Sequence, residues 1–176
     1  EMCALTGAVL AAGSDTAVDL HSYLIKALLS HPEQLEELKQ DEELIQNAIS
    51  ETLRYESSGK TGLARYVSED MELLGVEVKK GQMIQLITST AGLDPNTYDD
   101  PDTFDIHRNH DKSISFGQGP HYCIGVTLVR SQTEVMLREL FNRFPNLSLT
   151  GDVKYDYDHH NACLLYTSDA ADDQLG

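Results

Sequence analysis

The sequence is short of positive charge. Thirteen Lys and Arg stand against 29 Asp and Glu, leaving a formal net charge of -16 over 176 residues. No basic stripe is on offer to a nucleic-acid backbone, and an anionic membrane surface would repel such a chain. The sequence also lacks an apolar run of about eighteen residues, so no segment reads as a bilayer span. Its three cysteines, Cys3, Cys123 and Cys163, are too few for a disulfide framework. A reducing, cytoplasmic setting is the expectation. The chain opens on Glu1 and enters an apolar run within two residues, with no charged-then-apolar leader. That reads as a start inside a helix, and 176 as the size of a fragment.

Residues 2–29 contain no proline and repeat apolar side chains at Val9, Ala12, Leu20, Leu24 and Leu28, the spacing of one helical face. So apolar a helix is expected to run through a core. AGSDT interrupts it: Gly13 weakens the helix, and Ser14 and Thr16 compete for backbone carbonyls, which predicts a local opening. Ser30 before Pro32 reads as the N-cap of a second, charged helix. LIQNAISETLRY then repeats an apolar face through Ile45, Ala48, Ile49, Thr52 and Leu53. It sets Glu51 and Arg54 three apart on one side of one helix.

From residue 61 the period shortens. β-branched pieces separated by turn residues predict a small antiparallel sheet, with a hairpin near Gly75 and a turn at Lys80–Gly81. A short helix and an extended meander follow through STAGLDPNTYDDPDTFDIHRNH. VTLVRSQTEVMLRELFNRF reads as an amphipathic helix with Leu128, Val135, Leu137, Leu140 and Phe141 apolar, and LSL as a final strand. The fold class is therefore mainly α with small antiparallel β elements (α+β).

The most constrained segment is SISFGQGPHYCIG. Gly117 and Gly119 permit positive φ and close approach of the backbone to a large flat ligand. Cys123 precedes a helical turn expected near Ile124, whose converging N–H groups favour a thiolate. Gly125 leaves space beside the sulfur, and His121 can meet an anion at the rim. One shielded thiolate in a glycine-rich loop suits the axial position of haem iron.

FGQGPHYCIG resembles the haem-binding loop of the cytochrome P450 family, F-G-x-G-x-H/R-x-C-x-G, at Phe116, Gly117, Gly119, His121, Cys123 and Gly125. The resemblance implies haem b as cofactor, Cys123 as its iron ligand and a partial cytochrome P450 fold. It runs from the central oxygen-activating helix to the helix after the cysteine loop. Glu51 and Arg54 resemble the family's Glu-x-x-Arg pair behind that loop, and a buried bidentate pair would hold the meander there. AGSDT resembles the oxygen-activating segment, with Asp15 as acid and Thr16 as alcohol managing protons. Arg65 resembles the strand arginine that reaches a haem propionate, with His121 serving the other. Phe116 would flank the sulfur. Arg130 and Arg138 on the last helix face either a redox partner or solvent.

The sequence departs from the family pattern in the meander. Thr103 stands where members often carry arginine, a role left empty unless Arg108 takes it; Gly92-Leu93-Asp94-Pro95 replaces an arginine-containing stretch, and YESSGK lacks the usual proline. His159 and His160 with Asp156 and Asp158 lack the ligand spacing of a specific metal site. Residues 1–150 resemble the carboxyl-terminal part of an incomplete P450 catalytic domain, and 151–162 are unassigned. Residues 163–176, with CLLYTSDAADD, resemble translated sequencing-adapter sequence and are set aside as a non-native or disordered tail.

The resemblance implies monooxygenation of a small hydrophobic organic substrate in the style of soluble bacterial members. Electrons would pass from NAD(P)H through a ferredoxin- or flavodoxin-like donor. A peroxide-driven peroxygenase is the enzymatic alternative, weakened by the retained Asp15 and Thr16; a haem-free, inactive fragment is the other.

Overall fold

A computed structural model describes residues 2–57, 62–151, 153–157 and 163–166. Helix α1 spans Met2–Ser30, α2 Pro32–Gln40, α3 Ile45–Tyr55, α4 Thr88–Ala91 and α5 Val126–Arg143. The strands are β1 Leu63–Tyr66, β2 Met71–Leu73, β3 Val76–Val78, β4 Met83–Leu86, β5 Lys154–Tyr157 and β6 Cys163–Tyr166. They form antiparallel pairs β1–β4, β2–β3 and β5–β6, so the fold is mainly α with small antiparallel β elements.

Helix α1 is unbroken through AGSDT, contrary to the predicted opening. Thr16 Oγ1 donates to the Ala12 carbonyl at 2.7 Å, but as a second bond on that oxygen's turn, without displacing the helical ladder. Nor does the whole of α1 run through a core. Met2, Leu5, Val9, Leu10 and Val18 are between 58 and 82 % exposed, and burial begins at Asp19. An apolar stripe states which face seeks cover; α2 and α3 fold back beneath the C-terminal half. There Leu20, Leu24 and Leu28 meet Leu35, Ile45, Ile49, Leu137, Phe141 and the meander's Phe104 and Ile106 in one core. Each such fully buried side chain contributes about 1.5–3 kcal/mol.

Ser30 ends α1 instead of capping α2: its hydroxyl donates to the Lys26 carbonyl, and His31 occupies the N-cap. Asp41 separates α2 from a single 3-10 turn at Glu42–Leu44 and accepts from the Glu43 amide at 3.0 Å. In α5 only part of the predicted face is covered. Leu137 and Phe141 are buried, whereas Leu128 and Val135 are 64 and 61 % exposed, because α5 packs on α3 along a narrower stripe. No strand forms at LSL (147–149). The chain turns at Pro145 and pairs later, β5 with β6, so Cys163–Tyr166 of the segment set aside as a tail make a strand. Residues 167–176, with His159 and His160, lie outside the described residues.

Candidate functional site

The cysteine loop is closed by its own backbone. Cys123 N–H donates to the Phe116 carbonyl at 2.9 Å, Gly117 N–H to Ile114 at 2.8 Å, and Tyr122 N–H to Gly119 at 3.0 Å. Such a closure forces φ of 75° at Gly117 and 69° at Gly119, left-handed values that cost other residues about 1–2 kcal/mol. The sulfur is exposed. Helix α5 begins at Val126 with Gly125 as N-cap, so Cys123 stands three residues before the helix, further out than the turn expected at Ile124. A Cβ added at Gly125 would sit 3.7 Å from Cys123 Sγ, ordinary contact, so Gly125 gives the sulfur room without being required by it.

This loop forms one wall of a cavity of about 400 Å³. Phe116, Gly117, His121, Cys123 and Gly125 line it on the loop side. Ala12, Gly13, Thr16, Ala17 and Leu20 of α1 and Leu128, Val129 and Gln132 of α5 also line it. The lining is mostly apolar. A Cβ at Gly13 would meet no atom within 4 Å, so that side of α1 is open space. Three predicted residues are absent from the lining. Asp15 is exposed and accepts from Ser14 Oγ at 3.1 Å; Arg65 lies on exposed strand β1 with its guanidinium on the Ala64 carbonyl; Gly119 shapes the loop from outside the cavity.

Behind the loop, Glu51 and Arg54 form the bidentate pair that their spacing predicts. Arg54 Nε and Nη2 each lie 2.7 Å from a Glu51 oxygen, and both side chains are wholly buried. The pair is satisfied by the meander. Arg54 Nη1 donates to the carbonyls of Gly92 and Pro101 at 2.7 Å, and Nη2 to that of Thr103 at 2.9 Å. Glu51 Oε1 accepts from the Asp105 amide at 2.9 Å. Arg108 supplies the third charge: its Nε lies 3.3 Å from Glu51 Oε1 while Nη1 and Nη2 hold the carbonyls of Asp99, Asp100 and Thr103. The residue Thr103 thus contributes its carbonyl, and the arginine comes from five positions on.

Other residues of this framework carry no motif. Gln34 brackets the meander at Phe104 and Ile106, Asn47 donates to the carbonyls of Ile106 and Arg108, and Ser115 Oγ holds the Leu53 carbonyl. Polar residues on the otherwise apolar faces of α2 and α3 were the available signal. Arg130 does not face outward as a docking charge. It lies 5.4 Å over the Phe116 ring and donates to Gln46 and Ser50 on α3, and burial lowers its pKa. Arg138 pairs with Glu134 at 2.9 Å and Glu42 at 3.2 Å. His110, with a side chain 9 % exposed, lies 3.6 Å from Glu51 Oε2. Burial holds its pKa below the ordinary value, with Arg54, Arg108 and Arg130 adding to that and Glu51 opposing it.

Among the described residues no group of three His, Cys, Asp or Glu side chains is arranged to hold a metal ion. A single-cysteine axial site is outside that pattern. No helix among them is long and apolar enough to cross a membrane.

The family model described as Cytochrome P450 matches residues 1–169, reaching into the segment set aside as a tail. Epothilone C/D epoxidase of Sorangium cellulosum is 37% identical over 157 residues, 89% of this chain and 38% of that protein. The biotin biosynthesis cytochrome P450 of Bacillus subtilis (strain 168) is 39% identical over 146 residues, 83% of this chain and 36% of that protein. The structure of epothilone B-bound cytochrome P450epoK superposes with a TM-score of 0.85 at 36% identity, covering 90% of this chain and 39% of that one. The chain thus spans less than two-fifths of the length of these curated relatives.

Proposed function

The chain belongs to the cytochrome P450 family, and from that membership we propose that the enzyme containing it is a haem-thiolate monooxygenase. Its substrate is a small hydrophobic organic molecule, hydroxylated at C–H or epoxidised at C=C. Its electrons come from NAD(P)H through a separate ferredoxin- or flavodoxin-like protein. Residues 1–150 are then the carboxyl-terminal part of its catalytic domain. The observation that carries this reading is the exposed Cys123 thiol, held by a positive-φ glycine loop on the wall of an apolar cavity faced by Thr16.

The donor set fits haem. Cys123 would hold the iron, His121 a propionate, and Phe116 and Gly117 the loop-side face of the ring; Arg65, outside the lining, would reach the other propionate only by leaving the Ala64 carbonyl. The open space at Gly13 leaves room beside α1. When bound, haem supplies the centre at which dioxygen is cleaved, one atom entering the substrate and the other leaving as water. The chain's own residues do the rest. Thr16 turns its hydroxyl from the Ala12 carbonyl toward the cavity, a rotation that costs only one part-solvated hydrogen bond. Asp15, beside it and open to solvent, passes protons inward through water. The Glu51–Arg54–Arg108 network holds the meander, and Arg130 over the Phe116 ring steadies the start of the cysteine loop, whose sulfur is left open on this side.

The relatives' names point to varied substrates: an epothilone epoxidase, a biotin-biosynthesis enzyme and a 6-deoxyerythronolide B hydroxylase. We propose that the isolated 176-residue chain, with the α1 wall exposed at Ala12 and Gly13, would not hold haem in a competent state.

The test uses the longest natural protein that contains this chain, loaded with haem and reduced under carbon monoxide. The expected result is the red-shifted absorption band of thiolate ligation, its loss in Cys123→Ser, and incorporation of one atom of labelled dioxygen into product with an electron donor present. Turnover with peroxide but not with dioxygen and a donor would make it a peroxygenase. An unchanged spectrum in Cys123→Ser would overturn the proposal.

A further inference from the structure

Helices α1 and α5 form two walls of the cavity, yet each packs chiefly on α3. Besides the apolar core they share, they are joined by a polar contact beside the cavity. His21 Nε2 lies 3.0 Å from Thr133 Oγ1. Thr133 Oγ1 sits 2.6 Å from the Val129 carbonyl, to which it donates its single proton. The hydroxyl is therefore the acceptor toward His21, and the imidazole carries its proton on Nε2. Thr133 is wholly buried and His21 half-buried, so water competes poorly for this bond.

Its position ties it to the site. His21 follows Leu20, and Thr133 follows Gln132; Leu20 and Gln132 both line the cavity, as does Val129, whose carbonyl anchors the hydroxyl. Thr16 precedes His21 by five residues, about 7.5 Å along α1. Thr133 lies on the helix that the Cys123 loop feeds. Packing on a shared third helix fixes how far each wall stands from α3. It leaves their separation from each other to direct contacts between them.

We propose that the His21–Thr133 hydrogen bond is a clasp that sets the separation of α1 and α5, and through it the position of Thr16 relative to Cys123. Both are positioning residues, and the inference rests on the reading of this cavity as the haem site. A bond of this kind contributes about fivefold to a local equilibrium.

Two measurements on the longest natural protein containing the chain separate the clasp from that reading. The first is made without haem. Nitroxide labels are placed on exposed positions of the two helices, Val18→Cys and Val135→Cys, with the native cysteines replaced, and their distance distribution is recorded by electron–electron resonance. A narrow distribution is expected with His21 and Thr133 present and in Thr133→Ser, which keeps the hydroxyl. A broadened one is expected in Thr133→Val and His21→Leu, and the double variant should be no broader than either. The second is haem dissociation from the loaded protein, expected about fivefold faster in Thr133→Val and His21→Leu and restored in Thr133→Ser. Distributions unchanged by Thr133→Val and His21→Leu overturn the clasp. So does broadening that leaves haem dissociation unaltered. If the protein bearing both residues takes up no haem, the monooxygenase reading fails instead, and broadening still supports the clasp as the device that spaces the walls.

Discussion

Arg54 and Gly92 touch twice. Arg54 Nη1 donates to the Gly92 carbonyl at 2.7 Å, and a Cβ at residue 92 would come within 2.4 Å of the Arg54 carbonyl oxygen. The guanidinium at the end of α3 thus grips a stretch of meander that has been brought against the same residue's backbone. The grip and the close approach require each other: the carbonyl can be reached only because position 92 has no side chain.

Gly92→Ala should therefore destabilise by about 1–3 kcal/mol through overpacking. Gly92 has φ of -69°, open to any residue, so the whole effect is steric. Gly119→Ala makes the complementary case, with no atom within 4 Å of the new Cβ but φ at +69°. Its cost should be about 1 kcal/mol, all of it backbone strain. Denaturant unfolding of the two variants checks both values, and a Gly119→Ala cost larger than that of Gly92→Ala would contradict this division.

Removing the Glu51 carboxylate strands a buried cation. Glu51→Ala is expected to cost about 3–5 kcal/mol, since Arg54 keeps three carbonyl acceptors but no counter-charge. Arg108→Ala should cost less, because its side chain remains partly open to water and its contact with Glu51 is longer, at 3.3 Å. Unfolding midpoints at constant pH distinguish the order.

His110 predicts an acid limb of stability. Among the described residues neither ring nitrogen has a hydrogen-bond partner, and burial lowers the folded pKa from the ordinary 6.5, helped by Arg54, Arg108 and Arg130 and opposed by Glu51. The unfolded chain then binds the proton more readily. Stability should be at its full value above pH 6.5 and fall as the pH drops below it toward the folded value. His21, lowered by burial, adds to the same limb. His110→Phe should flatten the fall in stability below pH 6.5, leaving the His21 share, as read by urea unfolding across a pH series.

Arg130 and Arg138 should behave differently although both lie on α5. Arg130→Met removes the bonds to Gln46 and Ser50 and the stack on Phe116, and should lower stability by about 1–3 kcal/mol while loosening the cysteine loop. Arg138→Met touches an exposed pair and should stay within about 0.5 kcal/mol. Hydrogen exchange at the Cys123 amide, bonded to Phe116, reports the loop directly.

Much was legible where chemistry is local. The three-residue step from Glu51 to Arg54 puts both on one helical side whatever surrounds them. The glycines of FGQGPHYCIG announce a backbone that must turn through positive φ, and the short β-branched pieces after residue 61 form the hairpin expected near Gly75, β2–β3, although β1 and β4 pair as a separate two-stranded sheet instead of joining it. Errors came where a pattern depends on a partner. The stripe of α1 reads as core throughout, but cover exists only from Asp19 onward. Leu128 and Val135 share the helical period of Leu137 yet stay exposed.

By itself, then, the sequence determined the cysteine loop, the buried ion pair and the family to which they belong, because each rests on neighbours a few residues apart. Tertiary structure decided the rest: that Arg108 reaches Glu51 across 57 positions, that Arg130 covers Phe116, and that His21 finds Thr133 112 positions away. Contacts at such separation are chosen by how helices stack around one core. No spacing along the chain encodes them.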